Sequence, residues 1–274
     1  MGVTGAPGAG KSSLLDALVR TLRPGGETLG IVAVDPSSRR TGGALLGDRV
    51  RVRSSAGDPG VFFRSMAARE RLGGVADATR AGVTVLAATF DWVFVETVGV
   101  GQSETEVTTV VDTVVYVAQP GAGDLLQFMK AGILEVPDVF VVNKADQGAA
   151  ALRTKGELEA GLGLAEGAGQ GRWTPPVLLS SARDGTGIAE LVAALRAHRE
   201  HLVATGELAV RRTRGREAFV VEALERRYGS YGLAKLGGTA AVAVRVRETR
   251  DASGFALVLS LGGEIEDALR KPLP

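Results

Sequence analysis

The sequence predicts an α/β fold, a doubly wound and mainly parallel sheet followed by a C-terminal appendage. Three observations predict it. Short apolar runs alternate with stretches of helical periodicity along most of the chain. Most of these runs are β-branched and apolar at successive positions, as strands buried on both faces are. The first run leads through a glycine-rich loop straight into an amphipathic helix. A chain of 274 residues suits one domain of roughly 200 residues with an extension.

The strand candidates, in order, are Gly2–Thr4, Leu29–Asp35, Trp92–Glu96, Val114–Ala118, Val139–Asn143 and Val177–Ser180. The first helix, Ser12–Leu22, carries Leu14, Leu15, Leu18 and Leu22 on one face. The last strand–helix unit ends near Leu202, so the expected domain covers 1–205 and the extension 206–274. In the extension, "TGELAVRRTRGRE" reads as a linker or helix start, and Arg216–Tyr228 as helix. Thr239–Arg247 and Phe255–Leu261 flank "RDASG", which predicts two strands of a β-hairpin. There is no internal repeat, and "EGAGQGR" (166–172) reads as a loop.

Composition narrows the function classes. Lys and Arg total 32 against 31 Asp and Glu, a net charge of +1. That balance gives no bulk electrostatic case for nucleic acid or an anionic membrane. There is no cysteine, hence no disulfide framework and no thiolate metal site. No signal peptide is visible and no uninterrupted apolar run reaches ~20 residues, so the expected location is the cytoplasm.

The opening loop carries the first chemistry. Gly5-Ala6-Pro7-Gly8-Ala9-Gly10-Lys11-Ser12 fits G-x-x-x-x-G-K-[ST], with an apolar strand before it and a helix after it. The glycines let successive N–H groups face one anion, and the helix N-terminus adds its positive end. The phosphate-binding set is Gly8, Ala9, Gly10, Lys11, Ser12 and Ser13. Lys11 would reach the β- and γ-phosphates, and Ser12 would ligate Mg²⁺.

"VVNKAD" (141–146) supplies N-K-x-D at the end of an apolar strand. Asp146 can accept two hydrogen bonds from guanine that adenine cannot offer, and a buried carboxylate left unpaired rejects the wrong base. Asn143 would brace the loop, and the Lys144 stem would cover one face of the base. "SSA" (180–182) follows another strand and fits the remaining guanine-side loop, Ser181 and Ala182, with a backbone N–H expected near the base oxygen. The expected nucleotide is therefore GTP or GDP rather than ATP.

Asp35 and Glu96 close apolar strands. In an open parallel sheet the carboxyl ends of the strands share one ligand-binding edge. Both carboxylates are thus expected near the phosphates and the metal, with Asp48 in the loop after Asp35 as a further candidate. Hard oxygen ligands imply Mg²⁺. "ETVGVGQSE" (96–104) takes the place of a γ-phosphate sensor, with the Gly99 N–H expected at that phosphate. Val100 stands where a water-positioning Gln often follows, and Gln102 is displaced by two residues. Slow hydrolysis without a partner is the expectation.

Together these stretches resemble one family, the MeaB/ArgK-like GTPases that chaperone adenosylcobalamin-dependent acyl-CoA mutases. They are P-loop NTPases of the SIMIBI, metallochaperone-GTPase type. The matching stretches are "GVTGAPGAGKSSLLDAL", "VAVDPSS", "TGGALLGDRVR", "GVFFRSMAARERLGGVADAT", "FVETVGVGQSETEV", "PGAGDLLQFMKAGILEVPD" and "VVNKAD". With the "SSA" loop the resemblance covers roughly 2–202. It implies phosphate and metal binding by Lys11 and Ser12, metal support from Asp35 and Asp48, and help in hydrolysis from Glu96. It also implies a switch loop within 119–130, where Asp124 and Lys130 couple nucleotide state to a mutase partner, and a homodimer. Arg39 and Arg40 replace a more apolar pair of the family, and "YGSYGLAKLGG" onward departs from its helical dimerisation arm. The mutase could then act on methylmalonyl-, hydroxyisobutyryl- or isobutyryl-CoA.

His198 and His201, spaced i, i+3, are expected on the surface; with no further His or Cys they cannot complete a metal site. Arg39 and Arg40 are candidates for an arginine finger in cis, with solvated or partner-facing charge as the plainer expectation. "RVRVR" (49–53) reads as an exposed strand edge, and Trp92 and Trp173 as packing residues. The competing functions are a metal-delivery GTPase, for which ligands are missing, and a small-molecule kinase, for which the guanine motif is wrong.

Overall fold

The computed structural model describes residues 1–35, 57–67, 77–97, 107–121, 136–165 and 173–270. Asp48, Gly99, Val100, Gln102, Asp124, Lys130, Arg39, Arg40 and the "RVRVR" run lie outside them. The chain divides into two compact units, Met1–Ala204 and Thr205–Pro274.

The first unit is built on a seven-stranded sheet in the order β3-β2-β4-β1-β5-β6-β7. Its strands are β1 (Gly2–Thr4), β2 (Leu29–Asp35), β3 (Val61–Ala67), β4 (Trp92–Glu96), β5 (Val114–Ala118), β6 (Val139–Val142) and β7 (Val177–Leu179). All the pairings are parallel. Among the described residues the α-helices of this unit are α1 (Lys11–Leu22), α2 (Asp77–Ala87), α3 (Ala149–Ala165) and α4 (Ile188–Ala204).

The apolar strand runs follow from cover on both faces. Val3, Ile31, Phe94, Val115, Val117, Val139 and Val141 pack in one core with Leu14, Leu15 and Leu18 of α1 and Leu191 and Leu195 of α4. Their neighbours Tyr116, Ala118, Phe140 and Val142 face the other way, into a core with Ala151 and Leu158 of α3. Period-two alternation sends every second side chain to the opposite face. β1 lies beside β5, and the chain leaves β1 toward β2 on one side and β5 toward β6 on the other. That is the switch point at which a crevice opens beyond the strands' carboxyl ends.

Three expectations need correction. β3 was not expected as a strand. It is the sheet edge, with Phe62 42% exposed and a half-buried pattern, so its apolar signal is diluted by Arg64 and Ser65. His198 is buried, not on the surface. The Thr113 hydroxyl lies 3.0 Å from its Nδ1, Asp138 Oδ1 lies 3.3 Å from its Nε2, and the Trp173 ring packs 4.8 Å away. It shares the inner face of α4 with Leu191, Leu195 and Leu202, three or four residues from the nearer two. His201 is half-buried against the same indole.

The third correction concerns the extension. The two expected hairpin strands are helices, α6 (Gly238–Glu248) and α7 (Gly254–Arg270), preceded by α5 (Glu207–Lys235). Val242 and Val246 are buried four residues apart, as are Leu257, Leu261 and Ile265, so the helical stripe was present. The intervening Val244 is 43% exposed, and its β-branched alternation with those two valines mimicked a strand. Between α6 and α7 the Ser253 hydroxyl accepts the Ala256 N–H, an N-cap. Arg216 of α5 donates to the carbonyls of Val246, Arg250 and Ala252, satisfying the end of α6 and the turn. Phe219, Val220 and Leu224 of α5 complete this unit's own core.

Candidate functional site

The site collects where β1, β4, β5 and β6 end. Between β1 and α1 the glycine-rich loop turns sharply. Gly5 has φ 137°, and a Cβ there would run into the Val117 carbonyl. Gly10 has φ 88° and caps α1 without any side-chain hydrogen bond to the helix end; a Cβ there would meet the Asn143 amide. Neither position tolerates a side chain. The first-turn N–H groups of α1, which lack intrahelical acceptors, thus point out of an uncapped end.

Lys11 is 7% exposed. Its Nζ donates to the carbonyls of Gly5, at 2.7 Å, and Ala6, at 3.2 Å. The Ser12 hydroxyl donates to Glu96 Oε1 at 2.6 Å. Glu96 is itself buried at the end of β4. Thr97, the next residue, has a buried hydroxyl without a hydrogen-bond partner among the described residues. Asp35 ends β2 at the same edge, where β2 and β4 align Ala33 with Glu96. Ser13 is exposed.

On the far side of the loop, Asn143 is buried and ties three segments together. Its amide nitrogen donates to the Ala9 carbonyl at 3.0 Å. Its amide oxygen accepts the Ala182 N–H at 3.2 Å. The Ala182 N–H thereby braces the loop. Ser181 Oγ donates to Asp146 Oδ1 at 3.1 Å, and Arg183 Nη1 stands 3.8 Å from Asp146 Oδ2. Asp184 is held below the usual carboxylate range, chiefly by the Thr186 backbone N–H, which closes the same turn. Lys144 adopts φ 61°, the single positive value among the described non-glycine residues. Its Nζ donates to the Gly8 carbonyl at 2.7 Å and to Gln119 Oε1 at 2.8 Å.

The structure therefore brings Gly8, Ala9, Gly10, Lys11, Ser12 and Glu96 together with Asn143, Lys144, Asp146, Ser181 and Ala182. Sequence reasoning missed the Arg20 donor to the Ala182 carbonyl and Thr154 Oγ1, which accepts the Gly121 N–H. Neither lies in a motif; only the fold brings them near.

A family model described as methylmalonyl Co-A mutase-associated GTPase MeaB matches residues 1–230. The chain belongs to the MeaB family. Among its relatives are GTPase ArgK of Escherichia coli, 39% identical over 219 residues that make up 76% of this chain and 63% of that protein. The methylmalonic aciduria type A homolog of mouse mitochondria is 37% identical over 77% of this chain and 52% of its own length. The matched region thus spans less than two thirds of each of these relatives. A solved structure described as LAO/AO transport system kinase superposes with TM-score 0.61 at 26% identity, covering 98% of this chain and 81% of that one. HypB of Helicobacter pylori, solved with nickel, shares the fold, with TM-score 0.54 at 16% identity over 73% of this chain and 86% of its own. No helix among the described residues is long and apolar enough to cross a membrane.

Proposed function

We propose that this MeaB-family chain binds GTP and GDP with Mg²⁺, hydrolyses GTP slowly, and reports its nucleotide state to an adenosylcobalamin-dependent acyl-CoA mutase. The observation that carries the nucleotide part is Asn143. One buried amide joins the phosphate loop to the "SSA" loop, so the anion cradle and the base-selecting carboxylate of Asp146 form one rigid site.

The residues present fit the group. The N-terminus of α1 carries no side-chain cap, so its first-turn N–H groups are available to an anion. Lys11 spends its ammonium on two neutral carbonyls; anionic phosphate oxygens would be stronger acceptors for the same donors. Ser12 and Glu96 are two hard oxygen donors one hydrogen bond apart, which suits an octahedral cation that keeps several waters. Mg²⁺, when bound, neutralises charge on the β- and γ-phosphates. Ser12 would hold it directly, and Asp35 and Asp48 would support it. Glu96, once released from Ser12, would orient water at the γ-phosphate, with the Gly99 N–H as that phosphate's contact.

Asp146 carries base choice. Its Oδ1 is oriented by Ser181 and remains able to accept from guanine, while adenine offers no matching pair of donors. The partner assignment rests on the family, whose description names methylmalonyl-CoA mutase; homodimerisation is part of the same proposal. Calorimetric titration with GTP, GDP and ATP in the presence of Mg²⁺ tests the nucleotide reading. Guanine nucleotides should bind at least about a hundredfold more tightly than ATP, and equal affinity would overturn it.

A further inference from the structure

We propose that Gln119 is a positioning residue for the nucleotide base: it holds Lys144 against the phosphate loop and so retards dissociation of guanine nucleotides. The proposal rests on the guanine reading above and adds a residue that neither the phosphate motif nor N-K-x-D contains.

The geometry is specific. An ammonium has three donors and no acceptor. Lys144 uses one on Gly8 O and one on Gln119 Oε1, at 2.7 and 2.8 Å. These acceptors come from two different loops, the one after β1 and the one after β5. The Lys144 side chain therefore bridges three segments, starting from a left-handed backbone position at φ 61°. A long lysine side chain loses considerable rotamer freedom when it is fixed. Here the two acceptors fix it before any ligand arrives. With both ends determined, the methylene stem lies as a preset wall where a base would stack. Removing Gln119 Oε1 would leave Nζ with the Gly8 carbonyl alone, and the wall would lose one of its two anchors.

Gln119 is also held from its own side. It directly follows β5, and two residues on, the Gly121 N–H reaches Thr154 Oγ1 of α3 at 3.4 Å. The start of this loop is thus pinned on the base side of the site, by Lys144 after β6 and by Thr154 of α3. Gln119 should accordingly act on base retention and leave the phosphate cradle alone.

The test compares the parent chain with Gln119→Leu, Gln119→Met and Gln119→Glu, using GDP labelled with a fluorophore on the ribose and, separately, inorganic tripolyphosphate. Gln119→Leu and Gln119→Met remove the acceptor at similar length; Gln119→Glu keeps it. The expectation for the first two is about tenfold weaker GDP binding, carried by faster dissociation, as for loss of a hydrogen bond to a charged group. Tripolyphosphate affinity should stay within about twofold, and Gln119→Glu should hold GDP at least as long as the parent, by a charge-assisted bond. Melting of the ligand-free proteins identifies a variant that fails to fold, and Gln119→Glu then still decides. GDP dissociation unchanged in Gln119→Leu, an equal loss for GDP and tripolyphosphate, or faster release from Gln119→Glu would each overturn the role. A parent chain that binds tripolyphosphate but not GDP would instead overturn the guanine reading itself.

Discussion

In the proposed function Asp146 and Glu96 take different roles because their surroundings differ. Asp146 is partly exposed, with side-chain accessibility of 31%, and its partners are a hydroxyl and a loosely placed guanidinium. It is free to accept from a base. Asp146→Asn exchanges an acceptor for a donor, so GTP binding should fall by at least about a hundredfold while xanthosine triphosphate binding improves; competition binding with the two nucleotides checks this. Glu96 is buried, and it accepts a hydrogen bond from the Ser12 hydroxyl. Glu96→Gln keeps size and hydrogen bonding but removes the negative charge. Turnover should drop on the order of a hundredfold, as for loss of a positioned catalytic carboxylate, with GTP affinity changed by no more than a few-fold. Single-turnover hydrolysis beside equilibrium binding separates the two effects; a loss confined to affinity would make Glu96 structural.

The helices of the second unit show what governs an element when its local signal is mixed. Leu261 of α7 is 2% exposed, and Leu261→Ala should destabilise the unit by about 2–5 kcal/mol, measured by urea unfolding. In the expected hairpin the same residue would have ended a half-exposed strand and cost far less. The polar face adds a pH dependence. Glu264 lies below its ordinary value of 4.5 through hydrogen bonding to Arg245, and Glu266 through hydrogen bonding to the Tyr228 hydroxyl. A carboxyl whose folded pKa is lowered stabilises the fold above its ordinary pKa and loses that contribution as pH falls through the lowered value. Stability should therefore decline below about pH 4.5, and Glu264→Gln with Glu266→Gln should flatten the slope in acid titration of the helical signal. These elements also show what the sequence could and could not tell. The glycine-rich loop before α1, the N-K-x-D turn after β6 and six of the strands were legible because their signals are local: a spacing, a run, a turn. The edge strand β3 was not, since its exposed face carries polar residues. Nor were α6 and α7, where alternating valines in α6 and alternating leucines in α7 competed with a period of four that packing alone decides. His198 was misread for the same reason, because burial of a histidine depends on Thr113, Asp138 and Trp173, all distant in the chain.

At the scale of the whole molecule the two units have separate cores, and all the nucleotide-side residues belong to the first. Under the proposed function, nucleotide state needs a route to a second protein. The segment that follows β5 is suited to it. It starts at Gln119, Pro120 and Gly121, at the ligand-facing edge of the sheet, and its first turn is tied to Lys144 and Thr154. Asp124 and Lys130 lie further along it, in residues outside those described, and carry opposite charges in a stretch that resembles the family's coupling loop. A segment with two arrangements needs a bias of only a few kcal/mol between GTP and GDP to signal. The chain alone should turn over GTP on the order of 10⁻⁴ to 10⁻² s⁻¹, as GTPases without an external activator do, and faster with the proposed mutase partner. Asp124→Ala and Lys130→Ala should leave GTP affinity and the unstimulated rate within about twofold, since neither residue belongs to the phosphate or guanine motifs, yet abolish the stimulation. The measurement is phosphate release from each variant across a titration of adenosylcobalamin-loaded mutase. If both variants are stimulated like the parent, the signal must enter elsewhere, and the loops after Asp35 and Glu96 become the places to substitute next.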